Sequence, residues 1–424
     1  MRAMDYIRSK NICYLLCDTL KMIDERPIAH GMRVAYMLMR IMENKGGYDE
    51  YEVAEFAFLA MIHDIGVYRT EKELLPELYD TQENARRHAV YGALFLKKLS
   101  PFGERAYIIR CHHMPYSETS KLNYQYNRVA AYLHMLEDVD AAYCKDGVAM
   151  DLKPFESGAG SKYPPEGVMS LLQCVRREGM LQKIASGEYE AQLSRYMENV
   201  LFTNEEKEGY LKLVMQCCGF KGKLITVESI MCRCIAEVIA EDIGLSGREK
   251  DKMDYAAILH NIGMLGMEKD DIKALRNMET ESSPALEAHI KKGCALLDKY
   301  FAVKDIVEII SAHHERGDGS GYPQGKRGNE MTPQQSIMQV ADYMTMLMNK
   351  RKDGKQLSKR EVIDLLSKKA DRNQLNEDMV RCVINRYDML ERRIHTETKN
   401  YLEMYVRLGN TYKRNMEGKQ EEYE

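Results

Sequence analysis

Eleven histidines and the carboxylates near them are the side chains of this 424-residue sequence best suited to chemistry. His63 and Asp64 stand next to each other in IHDIG at 62–66. Neutral imidazole and carboxylate together suit Fe, Mn, Zn or Co, and two such ions can clamp a phosphoryl group. An Asp beside a His serves a two-metal centre when its carboxylate bridges both ions, which makes His63 and Asp64 the expected catalytic residues. One helix cannot surround an ion, so the remaining ligands must come from elsewhere in the chain. His30, His88, the pair His112-His113 and a later carboxylate supply them at intervals of roughly 24 to 33 residues, one helix plus a connection each, as in metal sites built in the core of a helical bundle. The later carboxylate is expected to be Glu137 of HMLEDVDAAY, which aligns with Asp342 of VADYMTML; Asp138 is the adjacent alternative and Asp140 lies three further on. His134, one turn before Glu137, is placed to support a ligand from behind.

The pattern occurs twice. IHDIG at 62–66 returns as LHNIG at 259–263, HAVYG at 88–92 as HIKKG at 289–293, and CHH at 111–113 as AHH at 312–314. Three motifs returning in order about 200 residues later mark a duplicated unit. His260, His289, His313 and His314 fall at the matching places of the second copy, and only His134 and His395 lie outside the scheme. A cut near Gly219 divides the chain into expected domains 1–218 and 219–390, with a C-terminal helix and tail over 391–424.

The elements that position these residues read as helices. Val53, Phe56, Ala57, Ala60 and Met61 recur at the three-and-four spacing of an amphipathic helix, as do the apolar residues of 225–243 and 359–390. Alternating β-branched runs are absent, so the fold is expected to be all-α, two tandem helical bundles. ESGAGSKYPPEG at 156–167 is the clearest loop, and the charged tail 418–424 is expected to fray. A last helix over 385–414 leaves two uses open, docking on the second domain or homodimerisation. The 29 methionines read as core filler.

Bulk numbers exclude several classes. A net charge of −4 asks for no duplex nucleic acid, and a small anionic substrate is compatible with it. The 11 cysteines form no CxxC pair and read as reduced thiols. No apolar run is long enough to span a bilayer, and Asp5 and Asp18 interrupt any signal-peptide core. These features place the chain in the cytoplasm, off the membrane.

IHDIG, HxxxG, the histidine pair and the final acid resemble the HD superfamily of metal-dependent phosphohydrolases. HHERGDGSGYP at 313–323 resembles the defining segment of its HD-GYP branch, the cyclic-dinucleotide phosphodiesterases. The resemblance covers roughly 20–150 and 220–390. It implies a helical bundle with two or three Fe or Mn ions, two per intact site, and hydrolysis of cyclic di-GMP or a related cyclic dinucleotide. It makes His30, His63, Asp64, His88, His112, His113 and Glu137 metal ligands in the first repeat, and His260, His289, His313, His314 and Asp342 in the second. Gly321, Tyr322 and Pro323 would line the substrate pocket, with Arg316 close to the phosphates. The departures carry consequences. The first repeat reads HHMPYSE after its histidine pair and has no Gly-Tyr-Pro loop. The second has Glu228 in place of the first histidine and Asn261 in place of the bridging aspartate, and neutral asparagine bridges two cations poorly. The family's lysine after HDIG is Val67 in one repeat and Met264 in the other.

Two functions follow. In the first, two ions and a metal-activated hydroxide open a phosphodiester in the first repeat, and the degenerate second repeat binds nucleotide or stabilises its partner. In the second, neither half turns over and the chain is a cyclic-dinucleotide sensor or scaffold that binds through Tyr322 and Arg316. The substrate could also be another small phosphoester.

Overall fold

The computed structural model describes residues 7–70, 82–268, 272, 284–302, 304–349, 351–352 and 355–418. The tail residues 419–424 expected to fray lie outside the described residues. The fold is all-α; among the described residues the only paired strands are the two-residue β1 (Arg351–Lys352) and β2 (Lys355–Gln356), which run antiparallel. No helix among them is long and apolar enough to cross a membrane.

The chain divides into two compact units, Ile23–Tyr210 with Arg407–Glu424, and Met1–Met22 with Leu211–Val406. They are called the N-terminal and C-terminal units below. The division departs from the boundaries expected at 218 and 390. It also places helix α1 (Ser9–Lys21), whose Ile12, Leu15, Leu16 and Leu20 are fully buried, with the C-terminal unit. Asn11 there donates to the Tyr300 carbonyl at 2.7 Å, and the Tyr300 hydroxyl donates to Asp18 at 2.6 Å.

In the N-terminal unit, α2 (Glu25–Lys45) begins where the Asp24 carboxylate accepts the Arg26 N–H, and α3 (Glu50–Met61) begins on a reciprocal Asp49–Glu52 capping box. After the single turn His63–Gly66 come α4 (Gln82–Leu99), α5 (Tyr107–Cys111), α6 (Asn127–Asp146) and α7 (Pro165–Glu178). Helix α2 packs on α3, α6 and α7, while α4 packs on the 63–66 turn and on α5. Tyr36, Phe58, Phe95 and Tyr132 fill the core.

Helix α8 (Asn204–Lys221) contains the boundary between units. The C-terminal unit then repeats the order with α9 (Lys223–Asp242), α10 (Gly247–Leu259), the turn Ile262–Gly266, α11 (Pro284–Asp298), α12 (Lys304–Ser311) and α13 (Pro333–Asn349). Helix α9 packs on α10 and α13, as α2 packs on α3 and α6. Two short helices, α14 (Lys359–Asp371) and α15 (Glu377–Asn385), precede α16 (Tyr387–Met416). Leu390, Ile394 and Tyr401 of α16 are buried, as their spacing suggests, and His395 is exposed.

The same glycine fixes the same approach in both units. A Cβ on Gly66 would lie 2.1 Å from the His88 carbonyl oxygen, and one on Gly263 would lie 1.9 Å from that of His289. The turn carrying His63 therefore seats directly against the helix carrying His88, and the turn after His260 against the helix carrying His289.

Candidate metal centre

In the N-terminal unit, His30 comes from the second turn of α2, His63 and Asp64 from the turn after α3, and His88 from α4. His112 and His113 follow α5, and Glu137 lies on α6. Their side chains converge. One potential ligand atom from each of Asp64, His88, His112 and His113 lies within 4.8 Å of the others, and the same holds for His30, His63 and Glu137. Asp64 joins the two groups, because its Oδ1 is 3.2 Å from His88 Nε2, 3.6 Å from His63 Nε2 and 3.8 Å from His112 Nε2. Glu137 Oε1 is 2.5 Å from His63 Nε2 and 3.1 Å from His30 Nε2.

The backbone sets which ring nitrogen faces the site. His63 Nδ1 donates to the Ala60 carbonyl at 2.6 Å and His112 Nδ1 to the Ile109 carbonyl. With Nδ1 committed to the backbone, each Nε2 is the nitrogen left facing the site, free to ligate a cation once deprotonated. The Nε2 atoms of His63 and His112 and the Oδ1 of Asp64 are buried without a properly aligned hydrogen bond. Three buried acceptor atoms aimed at one another are costly unless a cation sits among them. The donor set, imidazole nitrogen and carboxylate oxygen, is also the one that divalent transition metals take. The residues present thus fit metal ions.

The electrostatics agree. Burial works against ionising Asp64, but His63 and His88 hold its carboxyl far below the usual range. Burial likewise opposes ionisation of Glu137, and His30 and His63 outweigh it. His30 goes the other way: burial would lower it, yet Glu137 and Asp140 raise it well above 6.5. His112 and His113 are lowered, first by burial, His113 to about 4.

Asp138 points away from this cluster. Its Oδ2 takes the Lys162 ammonium at 2.8 Å and the Tyr163 hydroxyl at 2.9 Å, so the adjacent Glu137 is the carboxylate that meets the histidines. His134 lies beside Asp138 and Tyr163 and is not among the converging ligands. The metal-ligand pattern in the sequence does not mark Arg33, and it marks Asp140 only as an acid near Glu137. His30 Nδ1 donates to Asp140 Oδ2 at 2.7 Å, and Arg33 grips the same carboxylate through Nε at 2.6 Å and Nη2 at 2.7 Å. A signal was present, since Arg33 follows His30 by one helical turn and Asp140 follows Glu137 by one.

The C-terminal unit assembles a smaller set. His289, His313 and His314 offer ligand atoms within 4.8 Å of one another. Asp342 approaches His260 Nε2 and His314 Nδ1, both at 3.5 Å. His260 and His313 donate from Nδ1 to the carbonyls of Ala257 and Ile310, as their counterparts do. Burial lowers His314 well below 6.5 and His313 to about 4, while burial of Asp342 is outweighed by the facing His260 and its carboxyl is lowered. Asn261 is buried, and Glu228 on α9 is half-buried.

The glycine-rich segment after His314 folds back onto the histidine pair. Buried Glu315 accepts the N–H groups of Gln324 at 2.6 Å and Lys326 at 2.8 Å. Tyr322 N–H donates to the His314 carbonyl at 3.2 Å, and the two rings lie 5.1 Å apart. A Cβ on Gly321 would fall 2.2 Å from the Arg316 nitrogen, so only glycine permits this fold-back. The Tyr322-Pro323 peptide is cis. Arg316 donates to the Glu315 carbonyl and lies over the Tyr343 ring, next to Asp342.

Comparison with known proteins agrees with this geometry. Models of the HD domain match residues 28–142 and 202–378. The chain is 22% identical over 394 residues, 88% of its length and 90% of the relative's, to the 3'3'-cGAMP-specific phosphodiesterase 1 of Vibrio cholerae serotype O1. It is 31% identical over 115 residues, 27% of this chain and 31% of the relative, to a cyclic di-GMP phosphodiesterase of Thermotoga maritima. Among solved structures, a cyclic GMP-AMP-specific phosphodiesterase of V. cholerae superposes with a TM-score of 0.54 at 15% identity, over 89% of this chain and 97% of that one, which is a likeness of fold. Two HD domains in one chain, with relatives of this kind along its length, place it: the protein belongs to the tandem HD-domain family of metal-dependent, cyclic-dinucleotide phosphodiesterases.

Proposed function

We propose that this chain hydrolyses a 3',5'-linked cyclic dinucleotide, cyclic di-GMP or cyclic GMP-AMP, at the N-terminal cluster. One observation carries the reading: seven ligand-type side chains from five separate segments meet there, with Asp64 Oδ1 at the junction of the two groups. The relatives' named activities on 3'3'-cGAMP and cyclic di-GMP supply the substrate class. Fe or Mn is the metal proposed. Ions bound there would acidify water for attack and offset the charge that builds on the phosphoryl oxygens.

The ligands of one group would be His30, His63 and Glu137, those of the other His88, His112 and His113, with Asp64 between them. His63 and His112, held by backbone carbonyls, present fixed lone pairs and need no rearrangement when the reaction begins. The C-terminal unit, with Asn261 in place of the bridging aspartate, is proposed to bind nucleotide at a site of its own, through Arg316 and the Gly321-Tyr322-Pro323 loop.

The test is a turnover screen. Protein reconstituted with Mn(II) or Fe(II) is incubated with cyclic di-GMP, 3'3'-cGAMP and cyclic di-AMP, and linear products are identified by mass. Hydrolysis by the wild type and its loss in Asp64→Ala support the reading. Tight binding of a cyclic dinucleotide with no product would replace it with the sensor reading.

A further inference from the structure

We propose that Arg33 and Asp140 are positioning residues: the Arg33-gripped carboxylate of Asp140 fixes the tautomer and aim of His30, and the C-terminal unit has lost this device as a whole. The inference rests on the metal-centre reading above and adds to it how one ligand is held.

The geometry is a chain of three groups. Arg33 meets Asp140 side-on through two nitrogens, at 2.6 and 2.7 Å, the fork geometry that fixes a carboxylate in plane. The oxygen shared with Nη2 takes the Nδ1 of His30 at 2.7 Å. With one proton held on Nδ1 by Asp140, Nε2, which faces Glu137, is the nitrogen left to take a cation. His63 and His112 obtain the same result from backbone carbonyls three residues back in the chain. His30 lies inside α2, where its backbone neighbours are committed to the helix, so its anchor has to come from a side chain on another helix.

The second unit supplies independent support. Where the first has His30, it has Glu228, and one turn on, Met231 stands in place of Arg33. Three residues after Asp342, Thr345 stands in place of Asp140. Met231 is buried with its sulfur 3.4 Å from Asn349 Nδ2, and Thr345 is buried with a hydroxyl that has no hydrogen-bond partner. The four other histidines have counterparts there. The last ligand stays a carboxylate, as Asp342, so the losses beyond Asn261 fall together on the three groups of one contact chain, as expected if Arg33 and Asp140 serve only to hold His30.

An ion pair that merely tied α2 to α6 would show a different thermodynamic signature. The test is Mn(II) titration calorimetry on the metal-stripped full chain, with Mn(II) electron paramagnetic resonance to distinguish coupled pairs from single ions. Asp140→Ala should weaken one of the two bound ions by about 10–100-fold, the usual cost of losing an outer partner of a histidine ligand. Asp140→Asn, which still accepts from His30 Nδ1, should lose less. In a double-mutant cycle, His30→Ala with Asp140→Ala should bind Mn(II) no more weakly than His30→Ala alone, because the two act as one unit. Should Asp140→Ala fail to fold, Arg33→Met and Asp140→Asn carry the same cycle. Unchanged Mn(II) binding in folded Asp140→Ala, or additive losses in the cycle, would overturn the proposal. A wild type that takes up no Mn(II) would overturn the metal-centre reading itself, and this inference with it, an outcome distinct from a normal isotherm that Asp140→Ala leaves unmoved.

Discussion

Asp64 is the residue on which the N-terminal cluster depends, because its Oδ1 lies within 3.8 Å of the Nε2 atoms of three histidines from three different segments. Removing the carboxylate would leave two cations facing each other with less charge between them. Asp64→Ala should therefore lower phosphodiesterase turnover by roughly 100-fold or more, beyond the loss of an outer partner, while circular dichroism remains wild-type. Full turnover in a well-folded Asp64→Ala protein would remove this cluster as the catalytic centre. The neutral histidines also set a pH response. His113 and His313 are held near 4 against an ordinary 6.5, chiefly by burial. An unfolded chain takes up those protons between pH 6.5 and 4 while the folded chain does not. Through these two groups the metal-free protein should lose stability as the pH falls from about 6.5 toward 4, whereas His30, raised by Glu137 and Asp140, contributes stability below about 6.5 that is lost as the pH rises through its folded value. Melting temperatures measured in chelator across that range should show the slope, and His113→Gln should flatten it. At this scale much was legible, because few residue types ligate metals and the motif returned twice. Arg33 was not: arginine is no ligand, and its partner lies 107 residues away in the chain.

The helices show where pattern sufficed and where it did not. Three-and-four apolar spacing marked α3, α9 and α16, because burial of one face decides helix formation. The position of α1 in the C-terminal unit was invisible, since its apolar stripe does not say which surface covers it. The HDIG glycine is an element-scale feature, read at first as part of a motif and explained by packing. Gly263→Ala would place a methyl against the His289 carbonyl, so it should destabilise the C-terminal unit by about 1–3 kcal/mol, the usual cost of overpacking. Denaturant unfolding would measure it, and a neutral result would mean that the turn is looser than the 1.9 Å approach implies. The Gly-Tyr-Pro loop makes a second case. Tyr322 rests on His314 by its ring and by its N–H, while the imidazoles of His289, His313 and His314 form the cluster itself. Tyr322→Ala should then weaken cyclic di-GMP binding by several-fold, in line with about 1–3 kcal/mol for loss of a stacking ring, and leave Mn(II) affinity within about twofold. Paired calorimetric titrations would show the separation, and equal losses in both would assign Tyr322 to the metal site.

For the molecule as a whole, the duplication has left two unequal clusters. The N-terminal cluster has Asp64 at the junction of two ligand groups, whereas the C-terminal one has Asn261 at the equivalent position and, among the described residues, one three-histidine group. Carboxylate oxygens carry the charge that lets two cations sit close together, and a neutral amide does not. The full chain should bind about two transition-metal ions tightly, both in the N-terminal unit, with any ion in the C-terminal unit held more weakly. Splitting the chain at the repeat boundary is a poor way to ask. The helix Ser9–Lys21 belongs with the C-terminal unit and residues from Arg407 onward with the N-terminal one, so each half would lose part of its own core. The measurement belongs on intact protein, by metal analysis after dialysis against a weak chelator. Asp64→Ala with His63→Ala should remove nearly all tightly bound metal, whereas His313→Ala with His314→Ala should leave the tight stoichiometry near two. Equal loss from both pairs of substitutions would mean that the two units share the metal load, and the asymmetry read from Asn261 would fall.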